Sequence, residues 1–186
     1  APPELPPTVR RALDLSRRQG FVSSTRNETG RLLAILAASR AGTLAECGTG
    51  CGVGSAWLRS GVRPGARIVT AELDHRLAEA VREIFVDDPQ VEVLAADWTM
   101  LQRYAPFSLL FLDVREAKRG GPDFVDELVE PGGVVVLDDF TPCAGWPPVY
   151  EGRVDEVRQQ WLTDGRFTSA EVMVAADAAV VLAAKR

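Results

Sequence analysis

The order of apolar and polar segments predicts an α/β fold, a doubly wound, mostly parallel seven-stranded sheet that ends in an antiparallel hairpin. Over residues 43–138, five short apolar runs alternate with segments of helical spacing, which is typical of a parallel sheet covered on both faces. Only three residues separate Phe167–Val174 from Ala178–Ala184, and so short a connection allows only an antiparallel pair. With 186 residues, we expect one domain. It comprises a helical cap over residues 1–40 and a ligand-binding core over residues 41–186.

The N-terminal elements are predicted from helical spacing. After a proline-rich start over residues 1–7, Val9 and Leu13 place apolar side chains on one side of a helix at Thr8–Arg18. A second helix is expected at Thr29–Ser39, and the polar segment 23–28 connects the two.

The core elements follow in alternation. The five parallel strands are predicted at Thr43–Glu46, Arg67–Thr70, Val91–Leu94, Phe107–Asp113 and Val134–Asp138. The intervening helices are predicted at Gly54–Ser60, Arg76–Phe85, Thr99–Tyr104 and Pro122–Leu128, and a last helix at Gly152–Leu162 precedes the hairpin.

Composition narrows the classes of function. The formal net charge of −5 argues against a nucleic-acid backbone as the main partner. The longest apolar runs are too short to cross a bilayer, so no membrane partner is expected. Three cysteines and one histidine favour reduced thiols in the cytoplasm over a disulfide framework or a zinc site. The oligomeric state stays open, a homodimer included.

A glycine-rich stretch after the first strand is the strongest motif. Gly48, Gly50 and Gly52 alternate behind Glu46, and Gly54-Ser55 opens the next helix. Alternating glycines let the backbone turn tightly and let a ligand approach closely. The helix N-terminus that follows offers free N–H groups to a negative group. The stretch predicts a nucleotide-like ligand, although a glycine-rich loop is sometimes only a tight turn.

Acids at the next two strand ends strengthen this interpretation. Glu72, with Leu73 beside it, lies twenty residues after Gly52, where a carboxylate can accept both hydroxyls of a ribose. Asp97 and Trp98 follow the third strand and suit a purine, although a tryptophan in that position is often part of the core.

The pattern Glu46-x-Gly48-x-Gly50-x-Gly52, followed by Glu72 and Asp97, resembles the cofactor site of class I S-adenosylmethionine-dependent methyltransferases, which have a Rossmann-like fold. The resemblance implies S-adenosylmethionine as cofactor, with Glu46 suited to its ammonium group. The spacing of these glycines fits the methyltransferase pattern better than the pattern of nicotinamide dehydrogenases.

Three further aspartates end the fourth and fifth strands. Asp113 ends one strand, and Asp138 and Asp139 end the other. Strand carboxyl ends face the ligand crevice of a doubly wound sheet, so the three carboxylates should converge. Their mutual repulsion favours a hard divalent cation such as Mg²⁺. Helix capping or pairing with arginine is the alternative for each single aspartate.

This arrangement is similar to the catechol and caffeoyl-coenzyme-A O-methyltransferase branch of that family. The resemblance implies that Asp113 and Asp138 hold magnesium, with Asp139 standing where the branch usually has asparagine. It also implies that Ser24 and Thr25 touch the carboxylate of the cofactor.

One departure concerns the general base. The branch commonly has a lysine three residues after the first aspartate, and here that position is Glu116, with Lys118 two residues further. Three mechanisms stay open. Lys118 acts as base, or the cation at Asp113 lowers the pKa of the acceptor and Glu116 takes the proton, or catalysis is mostly positioning for an in-line transfer. Lys118 could also be a solvated loop charge.

We therefore expect a divalent-metal-assisted O-methyltransferase acting on a small catechol-like or phenolic acceptor. One alternative is a methyltransferase for a large acceptor, such as tRNA or a carrier-bound intermediate. The other is a non-catalytic, cofactor-binding partner protein.

Overall fold

A seven-stranded sheet runs through the centre of the protein in the computed structural model, which describes residues 3–186. Its strand order is β3-β2-β1-β4-β5-β9-β8, with β9 antiparallel to both of its neighbours and the other pairs parallel. The seven strands are β1 (Thr43–Cys47), β2 (Arg67–Glu72), β3 (Val91–Ala95), β4 (Phe107–Leu112), β5 (Val129–Phe140), β8 (Phe167–Ala175) and β9 (Ala178–Lys185). The predicted fold class is confirmed.

The helices cover both faces of this sheet. They are α1 (Pro7–Gln19), α2 (Asn27–Ala38), α3 (Val53–Gly61), α4 (His75–Ile84), α5 (Arg115–Asp126) and α6 (Glu156–Thr163), with a 3₁₀ helix at Trp98–Tyr104. Two hydrophobic clusters result, one on each face. All six residues of β4 are buried, as expected for a central parallel strand that packs against both cores.

The predicted cap helices are part of the main body of the fold. Val9, Ala12 and Leu15 of α1 and Leu33 of α2 lie in the same buried cluster as Trp57 of α3. The segment between α1 and α2 is thereby fixed above the carboxyl ends of the strands.

Two predicted helices are wrong at their N-terminal ends. The helix expected at Pro122–Leu128 begins at Arg115 and is kinked at Gly121, whose φ of 70° interrupts it. The helix expected at Gly152–Leu162 begins at Glu156, because a small hairpin of β6 (Val149–Tyr150) and β7 (Arg153–Val154) precedes it. The N-cap of α6 is Asp155, whose side chain accepts a hydrogen bond from the amide of Arg158.

Within residues 3–186, none of the helices combines the length and the apolar composition needed to cross a membrane.

Candidate active site

The glycine-rich loop between β1 and α3 takes a shape that requires glycine. Gly48, Gly50 and Gly52 have φ angles of 91°, 52° and 81°, in the left-handed region that side chains disfavour. A Cβ atom on Gly48 would lie 2.5 Å from Cγ2 of Val114. The loop therefore passes directly beneath the start of α5, at the carboxyl edge of the sheet.

Glu46 anchors this loop from below. Its side chain is 1% exposed and accepts hydrogen bonds from the hydroxyls of Ser55 and Thr70. Burial raises the pKa of Glu46 to about 8, against the opposing effect of those two hydrogen bonds. Gly54 leaves room for the carboxylate, because a Cβ there would collide with it. The expected contact with a ligand's ammonium group stays a prediction, and the contacts that the structure shows are with the loop and α3.

Glu72 ties the next strand end to the same loop. One carboxylate oxygen accepts the amide of Gly50 at 2.9 Å and the other accepts the amide of Asp74 at 3.0 Å. The side chain is half-buried and Leu73 is exposed. Because each carboxylate oxygen has two acceptor sites, Glu72 keeps capacity for two further donors, such as the hydroxyls of a ribose.

Asp97 and Trp98 lie at the end of β3, as the sequence indicates. Asp97 is exposed and caps the 3₁₀ helix by accepting hydrogen bonds from the amide and hydroxyl of Thr99. These bonds lower the pKa of Asp97. Trp98 packs edge-on against Phe124 at 5.0 Å between ring centroids, so this tryptophan belongs partly to the core. Their contact with a purine stays a prediction.

The segment after α1 forms the opposite wall of a narrow inner crevice. Ser24 shares a 2.6 Å hydrogen bond with Ser16 of α1, and Thr25 is buried. The residues that line the inner crevice are Phe21, Ser23, Ser24, Thr25, Thr49, Gly50, Cys51, Val53, Gly54 and Asp113. The two hydroxyl residues thus face the glycine loop.

Asp113, Asp138 and Asp139 converge as predicted. Each offers a carboxylate oxygen, and these atoms all lie within 4.8 Å of one another. Thr29 of α2 donates its hydroxyl to Asp138 at 3.3 Å. Asp139 is exposed and has a φ of 65°, a conformation that aspartate tolerates better than most residues. An all-oxygen set of this kind fits a hard divalent cation.

The electrostatics of the aspartate cluster favour a positive charge among its members. Burial, then repulsion from Asp139 and Asp138, raises the pKa of Asp113 to about 7. Burial also raises the pKa of Asp138. Any cation that binds here relieves this repulsion and favours the ionised carboxylates.

Lys118 lies inside the cluster rather than in a solvated loop. Because α5 begins at Arg115, one helical turn carries the Lys118 side chain inward, where it is 8% exposed. Its ammonium donates to the carbonyl of Asp138 at 2.9 Å and lies 3.7 Å from a carboxylate oxygen of Asp139. Glu116 is exposed on the outside of the same helix. The structure thus brings Lys118, and not Glu116, to the aspartates.

An open cleft of about 360 Å³ lies beside the aspartate cluster. Its lining residues are Val22, Ser23, Ser24, Thr25, Arg26, Asp113, Asp138, Asp139, Phe140, Thr141, Asp177 and Ala178. The volume is in the range of small-molecule sites. Ser23, Ser24, Thr25 and Asp113 line both this cleft and the inner crevice, so the two spaces meet at those residues.

Sequence reasoning missed three positions that shape the cleft. Thr29 carried no signal beyond its place in a predicted helix. Arg26 and Asp177 come from opposite ends of the chain and meet at the rim of the cleft. A contact between positions 151 residues apart has no local pattern that would reveal it.

The strand order of the sheet, with its antiparallel last pair, is that of the Rossmann-like methyltransferase fold. Comparison with known proteins agrees with this fold. A catechol O-methyltransferase of Mycobacterium tuberculosis (strain ATCC 25618 / H37Rv) is 32% identical, over 60% of this chain and 60% of its own length. The chain thus matches less than two thirds of that relative. No family model matches the chain.

Solved structures share nearly the whole fold. An O-methyltransferase from Bacillus cereus, in complex with S-adenosylhomocysteine, superposes with a TM-score of 0.76 at 19% identity, covering 98% of this chain and 92% of that one. TomG, an O-methyltransferase from Streptomyces achromogenes in complex with S-adenosylmethionine and involved in tomaymycin synthesis, gives the same TM-score and coverage at 21% identity. At these identities the likeness is one of fold.

Proposed function

We propose that this protein is an S-adenosylmethionine-dependent O-methyltransferase that uses a divalent cation and acts on a small, catechol-like or phenolic acceptor. The observation that carries the proposal is the meeting of three aspartate oxygens within 4.8 Å at the cleft that adjoins the glycine loop. The named relative and the two solved structures are methyltransferases, which supports the reaction class.

The chain offers a separate contact for each part of the cofactor. Glu72 keeps free acceptor capacity that would serve the ribose, and Asp97 and Trp98, at the neighbouring strand end, would contact the adenine. Ser24 and Thr25 present hydroxyls across the inner crevice from the glycine loop, where the carboxylate of the methionine portion would be received. The glycine loop has no side chains that would block a close approach.

Asp113, Asp138 and Asp139 are the residues that would hold the cation. Bound there, a hard cation would orient two adjacent acceptor oxygens and stabilise negative charge on the one that attacks. Thr29 fixes the orientation of the Asp138 carboxylate, as second-sphere hydrogen bonds do for metal ligands.

Lys118 is the residue of this chain best placed to assist the acceptor hydroxyl. The acceptor must lose its proton as its oxygen bonds to the methyl carbon and the carbon–sulfur bond of the cofactor breaks, leaving S-adenosylhomocysteine. Lys118, which donates to the carbonyl of Asp138, would assist removal of that proton and stabilise the phenolate that forms. Glu116 is exposed and does not line the cleft, so it takes no part.

The test is methyl transfer from S-adenosylmethionine to a panel of catechols and monophenols, with and without Mg²⁺. We expect transfer to a catechol that requires Mg²⁺ and is lost on chelation, while calorimetry shows that cofactor binding persists. Cofactor binding without transfer to any acceptor would favour the non-catalytic alternative. Transfer that survives strong chelation would remove the cation from the proposal.

A further inference from the structure

Arg26 and Asp177 form a bidentate ion pair among the residues that line the cleft. Both terminal nitrogens of Arg26 donate to the two carboxylate oxygens of Asp177, each at 2.9 Å. The side chains are 51% and 69% exposed, so a dissolved molecule can reach them. This fork-to-fork geometry is the one in which arginine binds any carboxylate.

The surroundings of Arg26 place it on the acceptor side of the site. It lines the cleft together with the aspartate cluster, Phe140 and Thr141, and it is absent from the lining of the inner crevice beside the glycine loop. Of the described residues that line the cleft, Arg26 alone carries a positive charge. An acceptor whose hydroxyls lie at the aspartates would therefore have one partner in this cleft for an anionic group.

We infer that Arg26 is a specificity-determining residue that binds a carboxylate on the acceptor, which displaces Asp177, so that the preferred acceptors are hydroxylated aromatic acids. This inference rests on the proposed function. Phe140 and the exposed Val22 also line the cleft, so it offers apolar surface to an aromatic ring.

Displacing Asp177 from Arg26 costs little free energy. An exposed ion pair stabilises a protein very little, because water and salt screen both charges. Asp177 follows the end of β8, in the short turn before β9, and the acceptor carboxylate would replace its two hydrogen bonds one for one. The released Asp177 carboxylate is left at the surface, where it is fully hydrated. The aspartate cluster repels the carboxylate of the acceptor, and Lys118 and the cation proposed above offset this repulsion.

The experiment compares catechol with 3,4-dihydroxybenzoate, which differs by one carboxylate. The readout is the ratio of kcat/KM for the benzoate to that for catechol, since a ratio cancels general damage to the enzyme. Arg26→Gln should lower this ratio by about two- to fivefold, the value of an ion pair at an exposed position. Asp177→Asn should raise it by about two- to fivefold, because a competing carboxylate is removed. The double variant should match Arg26→Gln alone.

Calorimetry provides a second readout that needs no turnover. Both ring compounds are titrated into wild-type and Arg26→Gln protein, with Mg²⁺ and S-adenosylhomocysteine present. The benzoate should lose affinity relative to catechol in the variant. Benzoate binding that depends on Arg26 without methylation of either compound would support the carboxylate site and refute the proposed function.

Other outcomes overturn the inference. Methylation of catechol with an unchanged acceptor ratio in Arg26→Gln would leave the proposed function intact and remove the carboxylate site. If Asp177→Asn raised kcat/KM equally for both acceptors, the ion pair would only restrict entry into the cleft. Weaker binding of S-adenosylhomocysteine in Arg26→Gln with no change in the ratio would assign Arg26 to the cofactor. Failure of both compounds to bind and to react would refute both proposals.

Discussion

The buried Glu46 makes the stability of the glycine loop depend on pH. In the unfolded chain its carboxyl has an ordinary pKa of 4.5, and in the folded protein burial raises this pKa to about 8. Below pH 4.5 both states hold the proton. Between the two values the unfolded state releases it while the folded state keeps it, so the free energy of unfolding falls as pH rises.

The size of this effect follows from the two pKa values. A group protonated only in the folded state lowers the free energy of unfolding by about 1.4 kcal/mol per pH unit. Over the whole interval from 4.5 to about 8, the loss amounts to about 4–5 kcal/mol. Above the folded pKa the penalty stays constant, because Glu46 is then ionised in both states.

Glu46→Gln removes the titration while keeping the shape of the side chain and an oxygen that can accept from Ser55 and Thr70. Urea unfolding at pH 5.5, 6.5 and 7.5, followed by tryptophan fluorescence, gives the free energy at each pH. We expect the slope against pH to be less negative than in the wild type by about 1.4 kcal/mol per unit. Asp113 and Asp138 act in the same direction and account for the slope that remains.

Glu83→Gln, at an exposed position of α4, is the matched control and should retain the wild-type slope. The amide that Glu46→Gln introduces can lower stability at every pH, and the comparison of slopes is insensitive to such a constant offset. A Glu46→Gln protein with the same pH dependence as the wild type would refute the argument, because the carboxyl would then titrate alike in the folded and unfolded states.

Three further outcomes follow from the site. Glu72→Ala should weaken S-adenosylmethionine binding about 10- to 100-fold by calorimetry, since the lost acceptor is charged; an unchanged affinity would contradict the ribose assignment. Asp138→Ala should abolish methyl transfer and lower Mg²⁺ affinity by at least about 10- to 100-fold, with cofactor affinity retained; activity with normal Mg²⁺ dependence would contradict the cation site. Lys118→Ala should lower kcat by about 100-fold, less than Asp138→Ala, while Glu116→Gln keeps its turnover. Equal losses in the Lys118 and Glu116 variants would count against the assignment of Lys118.

Much of the site could be predicted because its residues follow strand ends. The carboxyl ends of parallel strands meet at one edge of the sheet, so Asp113, Asp138 and Asp139 could be placed together from the strand pattern alone. The glycine spacing predicted a tight turn after β1, and Gly48, Gly50 and Gly52 have the positive φ angles that such a turn uses. These inferences needed only the order of strands and the direction in which each one runs.

The parts that could not be predicted depend on helix starts and on distant contacts. The sequence Arg119-Gly120-Gly121-Pro122 indicated a loop, yet the helix before the kink at Gly121 begins at Arg115, and that start directs Lys118 inward. The buried position of Arg158, which donates to the carbonyl of Thr141 at 2.8 Å and lies over the Phe140 ring at 5.0 Å, was equally hidden. Propensity is a weak guide where tertiary packing decides.

Asp113 joins the two halves of the site. It lines the inner crevice beside the glycine loop and also the cleft beside Asp138 and Asp139. A ligand in the crevice and a ligand in the cleft would therefore meet at the end of β4, where the proposed methyl transfer would take place. Ser24 and Thr25 form the shared wall, and the bond from Ser24 to Ser16 ties that wall to α1. The N-terminal helices thus do more than cover the sheet, because they fix one side of the space in which donor and acceptor would be aligned.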